Sequence, residues 1–491
     1  MAMFGESRQL RRRGRGQQSV LGSRSHGLRQ LKAVLLAGTA LSFGVLGFGG
    51  QANAGCVVNI GGLGGGGAPS PDTVVCTSPP DDMDGVSVDT LDFTGVNVTM
   101  QPGSALTNGA GTSMEINMLN PLGANNFNFE MNDPFSSITG FGDQVVVNSI
   151  VGGTHNWEIG GIIQSNGGDA IRIGFGAFGT VNMTVAPTGI IRAAYDAITI
   201  NSVVGGNFNL TNNGEISAGD DAIIMGIGAF GTMTVTNTGE ISAGGDAISM
   251  SSLAGANMLV ANDGQMTAGG DAIIMTLGAA GNMTVRNTGE ISAGGDAISM
   301  SSLAGANMLV ANDGQMTAGG DAIIMTLGAA GNMTVTNTGE ISARSDGIRM
   351  SSVGAATMQV TNDGQMTAGD DAIAMVNVLG GTMQVGNTGA IGSDLIPVGG
   401  SAVSMLGLSD AIVTNSATAS MFSVGNTIEI DAMTASVTNG DSLTSTGGVA
   451  INTRTVGTNT VINSGTVNGA QGGIQVISIG DIASVDNTGG A

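Results

Sequence analysis

The 49 residues from Asn237 to Val285 return letter for letter from Asn287 to Val335, and a shorter ruler runs through both copies. The Asp of a D-A-I-type word falls at Asp196, Asp221, Asp246, Asp271, Asp296, Asp321, Asp346 and Asp371, each 25 residues after the last. An N-x-G word keeps the same step from Asn212 to Asn387. Each 25-mer holds three short words in which apolar and polar residues alternate: "GEIS" with Ile241, "DAISM" with Ile248 and Met250, and "NMLV" with Met258 and Val260. Alternation with period two marks strands with one buried face, and Gly-rich words between them mark turns. Three strands and three turns per 25 residues describe one coil of a β-solenoid, in which a coil buries its apolar face only against its neighbours. The spacing predicts an all-β fold, a right-handed parallel β-helix of about fourteen coils stacked roughly 4.8 Å apart.

Composition agrees with a slender interior. Aromatic residues are only 3% of the chain and glycines number 85, yet hydrophobic residues reach 41%. Such a chain is not disordered by composition, and it lacks the bulk for a thick globular core.

Charge divides the chain. Eight of the 14 basic residues precede residue 33, whereas beyond Ala54 there are six Arg, no Lys and 36 acids. That remainder repels nucleic acid and anionic lipid and attracts cations or basic partners. The basic start leads into the apolar run "AVLLAGTALSFGVLGF" and then "QANA". This order predicts a secretory signal peptide over residues 1–54, cleaved after Ala54. Beyond it no run is long and apolar enough for a transmembrane helix. The two cysteines, Cys56 and Cys76, are an even count in a chain read as exported, and predict one disulfide.

Three rows of identical residues invite a chemical reading. The Met rows, through Met250 and Met258, fit a core of flexible gap-fillers, with thioether metal binding as the rival. The Asn row fits amides bonded from coil to coil, with the Gly two residues later supplying a positive φ. The Asp row places carboxylates roughly 5 Å apart, where like charges repel. Backbone N–H groups could satisfy them. Alternatively, Ca²⁺ could bridge Asp221, Asp246, Asp271, Asp296, Asp321, Asp346 and Asp371. No other cofactor is expected.

Catalysis finds little support in the inventory. "AGDDAI" at Ala218–Ile223 and Ala368–Ile373 resembles the G-D-D word of polygalacturonase-type β-helix hydrolases, through Asp220/Asp221 and Asp370/Asp371. The accompanying G-H-G and R-x-K words are missing, and the chain after the signal has no lysine. His155, in "THNWEIG" beside Trp157, reads as local packing. The chain is therefore expected not to be an enzyme.

A long signal, then "GCVVNI" and "PDTVVCTSPPDD", then coils reading "VTNTGEISAGGDAI" resemble the passenger region of bacterial autotransporters, over about Gly55–Ala491. The resemblance implies export through the periplasm of a Gram-negative bacterium to the cell surface. It also implies adhesion or aggregation through host or neighbouring-cell surface molecules, or through self-association. The family's C-terminal barrel has no counterpart in these residues.

The expected layout is a signal over 1–54, an irregular Gly-rich cap over 55–140, and β-helix repeats over 141–491, regular from 169 to 387 and looser from 388. Two further readings stay open: a self-assembling extracellular fibre subunit and a polysaccharide-active β-helix enzyme.

Overall fold

The computed structural model describes residues 56–59, 71–77, 86–90, 95–120 and 125–489. The segment expected to be a signal peptide, with its expected cleavage site at Ala54, lies outside them. Among the described residues every regular element is a β-strand, and no helix is long and apolar enough to cross a membrane.

The coil from Asn257 shows how the words become structure. Asn257–Asn262 lies on face 1, Gln265–Ala268 on face 2 and Ile273–Leu277 on face 3. The next coil repeats this in register. Met258 pairs with Met283 and Val260 with Val285 on face 1. Met266 pairs with Ile291 on face 2, and Ile273 with Ile298 and Met275 with Met300 on face 3. Residues one period apart are thus vertical neighbours, and the fold is the parallel β-solenoid that the spacing predicts. Among the described residues the three faces hold 18, 15 and 16 strands.

Alternate side chains point inward, because successive residues of a strand face opposite ways. Met258, Val260, Met266, Ile273 and Met275 are buried, and the same rows stay buried in coil after coil. Burying each such side chain contributes roughly 1.5–3 kcal/mol, so coils stabilise one another by stacking. The Met rows are core, as the packing reading expects. Earlier coils fill the same interior with rings: Phe127 and Trp157 at 4.9 Å between centroids, Phe129 and Trp157 at 5.1 Å, His155 and Phe175 at 4.5 Å. His155 is packed among them, and burial pushes its imidazole down to about 3, which keeps it neutral.

The ladders begin within the segment expected to be an irregular cap. Val86–Thr90 pairs in parallel with Met114–Met118, and Val96–Met100 with Phe127–Met131. These coils raise the number above the fourteen expected. Their steps hid them: vertical neighbours there are 28 and 31 residues apart, with the extra residues lodged in turns. Among the described residues the one antiparallel element is Cys56–Asn59, which pairs with Asp72–Cys76 and sets Cys56 opposite Cys76. The two cysteines form the expected disulfide. This strand covers the face 1 edge of Asp72–Cys76, which would otherwise present unpaired backbone groups.

The N-x-G glycines correct one expectation. Gly239 and Gly264 do not have positive φ. Their need for glycine is crowding: a Cβ on Gly239 would lie 2.1 Å from the carbonyl oxygen of Gly214 in the preceding coil, and one on Gly264 would lie 2.1 Å from that of Gly239. Backbones meet at this corner in these regular coils, so no side chain fits beside Gly239 or Gly264.

Candidate functional site

Three corners join the faces, and each has its own chemistry. At the corner between faces 1 and 2, the Asn row turns inward. The Nδ2 of Asn237 donates to Oδ1 of Asn262 at 2.7 Å, and that of Asn262 to Oδ1 of Asn287 at 2.8 Å. Each amide also donates to the carbonyl two residues on, as Asn262 does to Gly264 at 3.3 Å. The row is buried and its amides satisfy one another, as expected. Outside it, acids are staggered. Asp263, Asp313 and Asp363 alternate with Thr288, Thr338 and Thr388, and each of these Thr hydroxyls donates to the Asp of the preceding coil. Glu240, Glu290 and Glu340 alternate with Gln265, Gln315 and Gln365 in face 2. From Glu240 onward like charges never stand one coil apart within either of these rows, which limits their repulsion; Glu215 below Glu240 is the exception.

The corner between faces 2 and 3 has no such relief. All seven aspartates singled out as a cation ladder, Asp221 to Asp371, stand there one above another. The N–H of Asp246 donates to Oδ1 of Asp221 at 2.8 Å, that of Asp271 to Asp246 at 2.8 Å and that of Asp296 to Asp271 at 2.7 Å. The chain of bonds continues through Asp321, Asp346 and Asp371 and ends on the N–H of Ser401 at 2.6 Å. Asp221 and Asp321 are buried, and the others are half-buried. The Asp-Asp words divide their labour: Asp221 and Asp371 join the ladder, while Asp220 and Asp370 are exposed.

Two members of the ladder escaped the D-A-I word. Asp143, in "GDQVV", accepts the N–H of Asp169 at 3.0 Å. Asn426, in "GNTI", accepts the N–H of Val449 at 2.8 Å. The Gly before each, together with an apolar residue two places after, was the available signal. Asn426 also reveals what the position requires, an acceptor oxygen rather than a charge.

Charge is the problem of this corner. Burial, and then the neighbouring carboxylate, pushes Asp196, Asp296 and Asp346 up to about 7. Burial raises Asp371 to about 6, with Asp370 adding to it. Asp169, Asp271 and Asp321 are raised as well, chiefly by burial. Few cations help: Arg172 lies 2.8 Å from Asp143 and 3.6 Å from Asp169, and Arg349 lies 3.9 Å from Asp321. Among the described residues no three His, Cys, Asp or Glu side chains converge into a group that could hold a metal ion. In a single-file row each carboxylate already spends Oδ1 on an N–H. The arrangement can take up protons along its length, and it offers Ca²⁺ a line of outer oxygens rather than a cage.

No family model, no curated protein and no solved structure matches this chain.

Proposed function

We propose that the chain is a non-catalytic rod of the bacterial cell surface, exported across the envelope, whose length gives reach and whose sides make repeated contacts with another surface. The observation that supports this reading best is the uniformity of the stack. From Asp221 to Asn387 the buried rows recur in every coil and much the same exposed side chains return every second coil, in unbroken register on all three faces. Such a surface gives many equal shallow contacts, which suits adhesion by multivalency. The Cys56–Cys76 bond fits an oxidising compartment outside the cytoplasm. The basic and apolar start of the chain fits a signal peptide.

The test is expression of the full chain in a Gram-negative host. The reading expects a product whose first residue is Gly55, cleavage of that product by protease added to intact cells, and increased settling or attachment of those cells. A chain retained in the cytoplasm with residues 1–54 intact would refute it. Depolymerisation of acidic or neutral glycans by the purified chain would replace it with the enzymatic alternative.

A further inference from the structure

The third corner, between faces 3 and 1, differs from the other two. From Ile150 to Ser409 its eleven successive turns contain no charged residue. The faces beside it are almost as bare: from Ile171 to Gly407 on face 3 and from Gly179 to Asn387 on face 1 the strands carry no acid, and only Arg172, Arg286 and Arg349 as charges. The acids of this stretch all lie on face 2 or in the turns at its two edges. Over this stretch the solenoid is therefore amphipathic in cross-section, acidic around face 2 and neutral at the opposite corner.

That neutral corner is also apolar and exposed. Phe178 is 67% exposed, Phe230 74%, Leu253 47%, Leu303 80%, Val353 58% and Leu379 65%. Single exposed apolar residues are ordinary, but a contiguous stripe of them marks a contact surface.

The stripe has a relief. Up to Val353 its first row reads Val203, Gly228, Leu253, Gly278, Leu303, Gly328, Val353, so a bulky side chain in one coil is followed by none in the next; Val378 and Leu408 then end the alternation. Backbone approach enforces the gaps: a Cβ on Gly278 would lie 2.3 Å from the carbonyl oxygen of Leu253, and one on Gly328 would lie 2.4 Å from that of Leu303. Two residues further along each turn the order is reversed. Gly205 is followed by Phe230, Gly255 by Ala280 and Gly305 by Ala330. The corner is a chequerboard of projections and gaps with a pitch of two coils, roughly 9.6 Å.

We propose that this apolar corner is an interface between two copies of the chain lying side by side, with the projections of one seated in the gaps of the other. Three features favour a second copy over other occupants. Over the coils up to Val353, a surface with a two-coil pitch is matched in full only by one with the same pitch, and this chain supplies it. Corner-to-corner contact also places the acidic sides of both copies outward, at the greatest separation two such chains can reach, so the strong negative charge does not oppose association. Finally, eleven turns at roughly 4.8 Å form a strip about 50 Å long, and a width of about 12–15 Å gives roughly 600–750 Å² per copy, within the range of specific interfaces.

The test is sedimentation velocity of the full chain over a wide concentration range. The wild type is expected to double its mass as concentration rises, more readily at high salt. Leu303→Glu and Phe230→Glu place a charge on exposed side chains and are expected to abolish the doubling with the circular dichroism spectrum and melting midpoint unchanged. Leu303→Ser, which removes the projection without adding charge, is expected to weaken association without affecting the fold. A wild type that stays monomeric throughout, or a dimer that survives both glutamates, overturns the proposal. So does a monomer that binds neutral phospholipid vesicles through Leu303 and Phe230, which would assign the corner to a lipid surface.

Discussion

The backbone N–H of Asp296 donates to Oδ1 of Asp271 at 2.7 Å, and the carboxylate of Asp296 accepts the N–H of Asp321 at 2.8 Å. Each residue of the row is thus donor to one coil and acceptor for the next. The same relationship that ties the coils together holds their carboxylates in single file, where burial and mutual repulsion favour the protonated form.

Stability should accordingly fall as the pH rises toward neutrality. A carboxyl raised in the folded chain binds its proton more tightly there than in the unfolded chain, whose value is near 3.8. Its contribution is fully present below that value and is lost as the pH passes through the folded values of about 6 to 7 for Asp371, Asp196, Asp296 and Asp346. The melting midpoint is expected to be several degrees higher at mildly acid pH than at alkaline pH. A midpoint that is flat or rises over that interval would count against the ladder's protonation.

Replacing single members separates acceptor from charge. Asp296→Asn keeps an acceptor for Asp321, as Asn426 does naturally for Val449, and removes repulsion from Asp271 and Asp321, so it should equal or exceed the wild type in stability at neutral pH. Asp296→Ala leaves the N–H of Asp321 without its partner and should cost about 1–2 kcal/mol in urea denaturation. Equal losses in both variants would show that charge, not the acceptor, is what the position needs.

Calcium and a chelator distinguish ion bridging from protonation. With no cage among the described residues, EDTA is expected to leave the melting midpoint unchanged, and millimolar Ca²⁺ to raise it no more than Mg²⁺ does. A rise specific to Ca²⁺ that Asp296→Asn and Asp346→Asn remove would establish the bridging role.

The amide row should tolerate less than the carboxylate row. Asn287 is buried, accepts from Asn262 at 2.8 Å and donates to Asn312 at 2.8 Å. Asn287→Ala strands a donor and an acceptor in the interior and should cost about 2–3 kcal/mol. Asn287→Asp buries a charge and should cost more, less so in acid. Hydrogen exchange would localise either loss to the coils around the substitution.

Two glycines give a matched pair. In Gly239→Ala the new methyl would meet the carbonyl oxygen of Gly214 at 2.1 Å, whereas nothing lies within 4 Å of a methyl added at Gly386. Gly239→Ala should lower the melting midpoint clearly, and Gly386→Ala should leave it within a degree or so or raise it, by reducing the freedom of the unfolded chain.

Much of this architecture is legible in the letters because stacking converts sequence period into spatial adjacency. Met258 and Met283 are neighbours as soon as the period is known, and so are Asn262 and Asn287. The period fails where turns vary in length. Asn128 sits above Asn97 after 31 residues and Asn156 above Asn128 after 28, so the first coils carry no visible ruler although their strands are equally regular. Insertion does the same near Leu395 and Ile396, where Ser401 follows Asp371 in the ladder only after 30 residues. The reason for each conserved-length turn was also hidden, because the closeness of Gly239 to Gly214 depends on the path of two backbones and not on either sequence word. The neutral corner was legible in principle, as "LAGA" and "GAAG", but small residues in a turn attract no attention until their place on the outside of the coil is known.

The alternation of Leu303 with Gly328, and of Asp313 with Thr338, sets the unit by which such a chain can grow. A gain or loss of fifty residues leaves every projection, gap and staggered acid in phase. A gain of twenty-five would bring two leucines, and two aspartates, into consecutive coils and break both patterns at the junction. Inheritance of length in even steps, as the verbatim second copy from Asn287 to Val335 records, is what this geometry would permit over generations.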